Sequence, residues 1–191
     1  MIAMDVTVDL VTGPPPPEAT AAMQAIEGIR IVPVMLNTQS GPEGHLGPES
    51  AGAILVLQGT FAAEERFHEF WTHVIGLMEL LATAPGFIRR YNFADGPHYT
   101  LMAWWRTVED AHAFFARPEH QAAMRRTFER RWNYTHFAGL WTMAEQRQRL
   151  FFCQSCDGIT PSTESACTGC GSPLQDPYGA PDVHAAAGVP R

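Results

Sequence analysis

The four cysteines of the chain fall into two Cys-x-x-Cys pairs, Cys153–Cys156 and Cys167–Cys170, separated by ten residues. Two such knuckles let four thiolates converge on one ion, and Zn²⁺ favours that closed sulfur shell in structural sites. Rubredoxin-type iron takes the same ligands. A redox pair more often stands alone near a βαβ unit, and two disulfides suit an oxidising compartment, for which the sequence carries no export signal. Gly158 and Gly171 follow the second cysteine of each pair within two residues, which suits a tight turn. The residues between the pairs offer nothing to bury, so a metal would stand in for a core. This predicts a zinc ribbon over residues 150–175. With four protein ligands its shell is full, which makes it structural or a docking surface for a protein partner.

Histidines and arginines supply the remaining chemistry. All 13 basic residues are arginine, so Schiff-base, pyridoxal-phosphate and Walker-type lysine chemistry are excluded. His68 and His73 flank Glu69 with one residue more than the H-E-x-x-H zinc helix has. On a helix, i and i+5 lie roughly 140° apart, against roughly 40° for i and i+4. They cannot grip one ion from a straight helix. Arg125, Arg126, Arg130 and Arg131 form a basic cluster. The net charge of −7 argues against nucleic acid and for pairing with Glu129 or acidic groups of a partner subunit, or for a carboxylate-bearing ligand. His45 reads as a solvated loop residue, and His184 as no ligand.

The elements that must position these groups follow from hydrophobic period. Residues 53–61 form a strand with little alternation, implying cover on both faces. A helix from about Ala63 to Ala82 carries Phe67, Phe70, Trp71, Val74, Met78 and Leu81 within roughly a 100° stripe. Pro85-Gly86 ends it. Strands over 87–93 and 99–105 flank the turn at Asp95-Gly96-Pro97. Thr107 caps the next helix with Asp110 in a capping box, and Ala111, Phe114 and Phe115 form its buried side. Pro118 opens a further helix that runs to Trp132 through Met124 and Phe128. Residues 136–143 make the last strand. The order β-α-β-β-α-α-β over 51–147 is the ferredoxin-like plan of an α+β domain. Its strands are apolar on both faces, so the open face of the sheet calls for a second subunit.

Residues 1–50 read as an N-terminal extension and linker. Apolar runs at 6–11 and 29–36 flank a helix-compatible segment, the second demoted to an edge by Pro33. Residues 37–52 read as linker from their Gly, Pro and Ser content, and 176–191 as a flexible tail. No signal peptide or membrane span is evident, which predicts a cytoplasmic protein.

Pro85-Gly86-Phe87, then Trp105-Arg-Thr-Val-Glu-Asp110, then Pro118-Glu-His120, resemble the antibiotic biosynthesis monooxygenase family across about half the chain. The resemblance implies a dimeric α+β barrel, a homodimer closed through the sheet. It also implies cofactor-free oxidation of an aromatic substrate, with heme degradation as the activity of other members. On that resemblance Trp105 borders the pocket, and Gln58 stands on strand 1 where heme-degrading members have Asn. Arg126 stands where they have the heme-ligating His. Both departures weaken heme degradation by that route. A heme enzyme with other ligands would draw on His68, His73, His112, His120 or His136. For the cofactor-free reaction, Phe67, Trp71, Met78, Trp105 and Phe115 would build an apolar pocket. His120 would act as base and Arg126 would steady an oxyanion. The leading expectation is a small-molecule oxygenase. A non-catalytic ligand-binding or regulatory protein with a docking ribbon is its rival.

Overall fold

The computed structural model describes residues 17–25, 35–145 and 149–174. The chain divides into two units, Met1–Pro33 and Val34–Arg191. Within the first, helix α1 spans Pro17–Gln24. The strand expected at 6–11 and the tail at 176–191 lie outside the described residues.

The second unit contains β1 (Met35–Ser40), β2 (Ala53–Phe61), α2 (Glu64–Leu81), β3 (Phe87–Asp95), β4 (His98–Trp105), α3 (Val108–Phe115), α4 (Pro118–Arg130) and β5 (Asn133–Thr142). A hairpin of β6 (Leu150–Phe152) and β7 (Ile159–Pro161) follows. The large sheet has five strands in the order β1-β3-β4-β2-β5. Each neighbouring pair is antiparallel. Strands β2 to β5 with their helices form the ferredoxin-like α+β arrangement.

The fifth strand corrects the linker reading of residues 37–52. Asn37 to Ser40 pair with β3 from Asn92 to Arg89. The free edge of β3 supplies the hydrogen-bond partners that override a composition suited to loops. Only the segment after Ser40 is irregular, and His45 there is exposed, as expected.

Register sorts the side chains into two faces. Leu55 and Leu57, Tyr99, Leu101, Ala103 and Trp105, and Leu140 face the helices. Ile54, Val56, Gln58, Met102, Trp104, Phe137 and Trp141 face the other way. The helix-side core gathers Ala53, Ala84, Phe87, Ala103, Trp105, Ala111 and Phe114. A second cluster at the far end joins Phe61, Ala94 and Tyr99, with Phe67 and Phe70 against them.

The corner of the core around Gly86 has a plain physical basis in its turn. Gly86 has φ +73°, and a Cβ there would lie 2.2 Å from Asp110 Cγ. Its carbonyl accepts the Arg106 backbone N–H at 2.8 Å. Asp110 in turn completes the cap of α3: Thr107 Oγ1 accepts from the Asp110 N–H at 3.0 Å and donates to Asp110 Oδ2 at 2.9 Å. The Pro-Gly-Phe and Trp-Arg-Thr-Val-Glu-Asp motifs are therefore two sides of one packed corner.

Helix α4 stops earlier than its period suggests. Arg131 adopts φ 50°, a left-handed cap that turns the chain into β5. Trp132 is buried beyond it, and its indole donates to Glu69 Oε2 at 2.7 Å. Phe128 is 60% exposed and does not join the core.

Candidate functional site

Helix α2 has a broad apolar stripe, yet none of its residues is fully buried. Its side chains roof a cavity of about 120 Å³ between the helices and the sheet. Leu55, Leu57, Leu101 and Trp105 rise from the floor, Trp71, Val74 and Met78 descend from α2, and Phe114 and Phe115 close the α3 side. His120, Met124 and Thr127 come from α4, and His136 from β5. For scale, an apolar protein cavity of roughly 150 Å³ accepts benzene. The enclosed space suits a single aromatic ring.

Several expected site residues meet here: Trp105, His120, Trp71, Met78 and Phe115 all border this space. Three do not. Phe67 packs edge-on to Phe61 at 5.2 Å in the second core cluster. Gln58 faces the opposite side of the sheet, where its amide donates to Thr100 Oγ1 at 3.2 Å. Strand parity decides this, because Leu57 takes the helix-side position. Arg126 is exposed and borders a separate groove between α2 and α4, with His73, Leu80 and Glu119.

His120 is held by its surroundings. Its ring packs against Phe114 and Phe115, each 5.3 Å away between centroids. Nδ1 lies 3.2 Å from the Phe115 carbonyl. A carbonyl only accepts, so Nδ1 carries the proton and Nε2 keeps its lone pair. Burial pulls the His120 pKa below its ordinary 6.5, against a smaller upward pull from that carbonyl. The imidazole is therefore neutral at neutral pH. Burial lowers the pKa of His136 as well. Its Nδ1 lies 3.3 Å from Asn133 Nδ2, which also donates to the Tyr99 hydroxyl at 3.0 Å. Burial pushes the Tyr99 phenol up to about 12, so it stays protonated.

Two polar cavity residues on β3 are absent from the sequence expectations. Arg90 and Asn92 on β3 point toward the helices and are 3% and 1% exposed. Arg90 Nε donates to Gln39 Oε1 at 2.8 Å, and the Gln39 amide donates to the Met78 carbonyl. Asn92 Nδ2, Trp105 Nε1 and Trp71 Nε1 are buried donors with no hydrogen-bond partner. Asn37 Oδ1, opposite Asn92 in register, is likewise unpartnered.

The histidines offered as alternative ligands do not gather in one place. His68 and His112 are exposed, and His73 hydrogen-bonds the Glu69 carbonyl at 2.8 Å on its own helix. His120 and His136 both reach the cavity. The His68–Glu69–His73 cluster is also dispersed: Glu69 is engaged by Trp132 and Arg66.

The cysteines converge. All four Sγ atoms lie within 4.8 Å of one another, the one such ligand cluster among the described residues. Cys153–Cys170 and Cys156–Cys167 are separated by 3.7 and 3.6 Å. Four thiolates at the usual Zn–S distance would stand about 3.8 Å apart at tetrahedral angles. The donor set and its spacing fit a tetrahedral ion. Ser155 N–H and Gly169 N–H each donate to the first sulfur of their knuckle at 3.4 Å. The Cys167 thiol is pulled down to about 6, chiefly by the Cys170 backbone N–H and then that of Gly169. The two knuckle turns are built differently. Gly171 takes φ +74°, but in the first knuckle Asp157 carries the positive φ, 57°. Gly158 is small for another reason: a Cβ there would stand 3.1 Å from Cys156 Sγ and 3.2 Å from Cys167 Sγ.

The fold and cavity thus define a ferredoxin-like α+β protein with an apolar chamber and an appended cluster able to hold a metal. No family model matches the chain, and no curated protein matches it. Similar solved structures cover about half of it. A conserved protein from Methanosarcina mazei Go1 has 14% identity and a TM-score of 0.43, over 49% of this chain and 95% of that one. A cofactor-independent oxygenase from Streptomyces nogalater has 20% identity and a TM-score of 0.39, over 49% and 93%. A monooxygenase from Streptomyces coelicolor, in complex with nanaomycin D, has 18% identity and a TM-score of 0.41, over 50% and 90%.

Proposed function

We propose that this protein is a cofactor-free small-molecule oxygenase that takes a reduced aromatic substrate into the cavity beneath α2. The observation that carries the reading is a half-buried, neutral His120 facing a mostly apolar chamber of about the size of one ring. His120 Nε2 would accept a proton from an acidic ring-adjacent C–H. The resulting carbanion reduces O₂, and a methylene plus O₂ becomes a carbonyl plus water. The motifs around Gly86, Trp105 and Pro118 agree with this reading. Gln58 and Arg126 have no part in it.

The working molecule is a cytoplasmic homodimer joined through the open sheet face, with zinc in the four-cysteine site. Oxygen-electrode assays with a panel of reduced mono- and polycyclic aromatics test the activity. Uptake should exceed the protein-free rate, and His120→Ala should lower it by about 10²-fold or more. Uptake no faster than buffer across the panel would remove the oxygenase reading. A docking role for the ribbon is supported separately by Phe152 and Ile159, cross-strand neighbours that are 64% and 56% exposed.

A further inference from the structure

The chamber is apolar in area, and the one charged group at its wall is a cation. Arg90 brings a guanidinium to its wall and spends one donor, Nε, on Gln39. A guanidinium has five donors and accepts nothing. Among the described residues no carboxylate forms an ion pair with Arg90. Asn92 Nδ2, Trp105 Nε1 and Trp71 Nε1 are further buried donors without acceptors, and all three residues border the same space. The hydroxyls are already engaged: Thr127 donates to the Ala123 carbonyl at 3.0 Å, and Tyr99 OH accepts from Asn133. The neutral histidines add no charge.

A buried guanidinium without a counter-charge is unfavourable, and buried donors are normally satisfied. Gln39 cannot supply the missing charge, although it fixes Arg90 by tying it to the Met78 carbonyl of α2. An oxygen anion entering the chamber would meet the guanidinium of Arg90. A carboxylate best matches the planar fork, which can donate two parallel hydrogen bonds. A ring of about benzene size fills the rest.

We infer that the natural ligand of this chamber is an aromatic carboxylate, its ring between the α2 and sheet side chains and its carboxylate on Arg90. This deepens the oxygenase reading and rests on the chamber being the substrate site. It also assigns Arg90 as a substrate-binding and specificity residue, with Gln39 as a positioning residue behind it.

Benzoate and benzamide have nearly the same shape and differ in charge. Each is titrated into the full-length protein and followed by intrinsic tryptophan fluorescence, since Trp71 and Trp105 border the site. Benzoate should bind at least about tenfold tighter than benzamide, the scale of one charge-assisted hydrogen bond. In Arg90→Met that advantage should shrink below about twofold, while benzamide affinity stays within about twofold of wild type. Methionine replaces the arginine stem without its charge. Equal binding of the two probes to wild type overturns the inference and leaves the oxygenase reading intact. A preference for benzoate that survives Arg90→Met overturns the assignment to Arg90. Binding of neither probe overturns both the inference and the chamber as the substrate site. The wild-type comparison decides even if Arg90→Met does not fold.

Discussion

At the scale of single residues, His120 and His136 make the protein sensitive to acid. Both are half-buried, with pKa values lowered from 6.5 chiefly by burial. In the unfolded chain each titrates near the ordinary value. Above that pH both states are neutral, and these groups add no pH dependence. Below it the unfolded chain binds protons that the folded chain takes up less readily, so folding stability falls as pH drops. The loss levels off only below the folded pKa values. Thermal denaturation between pH 7.5 and 5 should show this decline, and His120→Gln should flatten it. A wild-type transition temperature constant over that range would contradict the assignment. The same shift keeps the base unprotonated, so oxygen uptake should hold its plateau below pH 6.5.

Residue-level legibility followed side-chain type. Trp105 and His120 were legible from the motifs that contain them, and Phe115 from helical period. Arg90 and Asn92 were not, because β3 reads Phe-Ile-Arg-Arg-Tyr-Asn-Phe and carries a polar residue on each parity. Only the register with β4, which sets Arg90 beside Ala103 and Asn92 beside Leu101, shows which of the two arginines points inward. Gln58 failed for the complementary reason, since one step along β2 reverses the face.

Among the elements, the β6–β7 hairpin is the one whose stability should depend on an ion. It has three residues in each strand. Its interior consists of sulfur together with Thr160, which is fully buried and accepts from the Thr168 N–H at 3.1 Å. The spacing of the cysteines made the site legible, whereas the short strands were not, because metal geometry rather than hydrophobic period creates them. Arg149, at the foot of the hairpin, pairs with Glu49 in the β1–β2 connection at 2.9 Å. That anchors the ribbon's base without involving the large core. Purified protein should contain about one zinc per chain, and a strong chelator should melt the ribbon alone. Amide exchange would then rise over 150–174 while β2 to β5 stay protected. Substoichiometric metal, or loss of protection throughout the sheet on chelation, would refute this division. The contrasting case is β1, whose sequence resembles a linker and whose existence depends on the exposed edge of β3. Helix α2 was legible as an amphipathic helix, but not as a roof that stands off the sheet, since periodicity reports a face and not the distance to what it covers.

For the whole molecule, the sheet's uncovered face is the unresolved surface in the physical sense. Cross-strand rows run Arg89–Trp104–Ile54–Trp141 and Phe93–Thr100–Gln58–Phe137. Trp141 is 58% exposed and Phe137 47%, both on the edge strand β5. Exposed aromatic residues gathered on one sheet face are what a subunit interface would cover. The strand pattern already implied a cover, since apolar residues occupy both parities of β2 and β4, but it could not say which aromatic residues remain exposed. A second copy placing its own sheet on this one would bury Trp141 and Phe137 and close the two sheets into a barrel. Aromatic residues at the centre of such interfaces commonly carry at least about 2 kcal/mol each. Trp141→Glu puts an unpaired carboxylate into that interface, so light scattering at micromolar concentration should give a dimer for wild type and a monomer for the variant. Circular dichroism should be unchanged, because Trp141 faces away from the helix-side core. A monomeric wild type, or a variant that remains a dimer, would move the interface elsewhere. Substrate binding supplies a second check: the chamber beneath α2 lies on the opposite side of the sheet from Trp141, so the monomeric variant should keep its affinity for benzoate within about threefold.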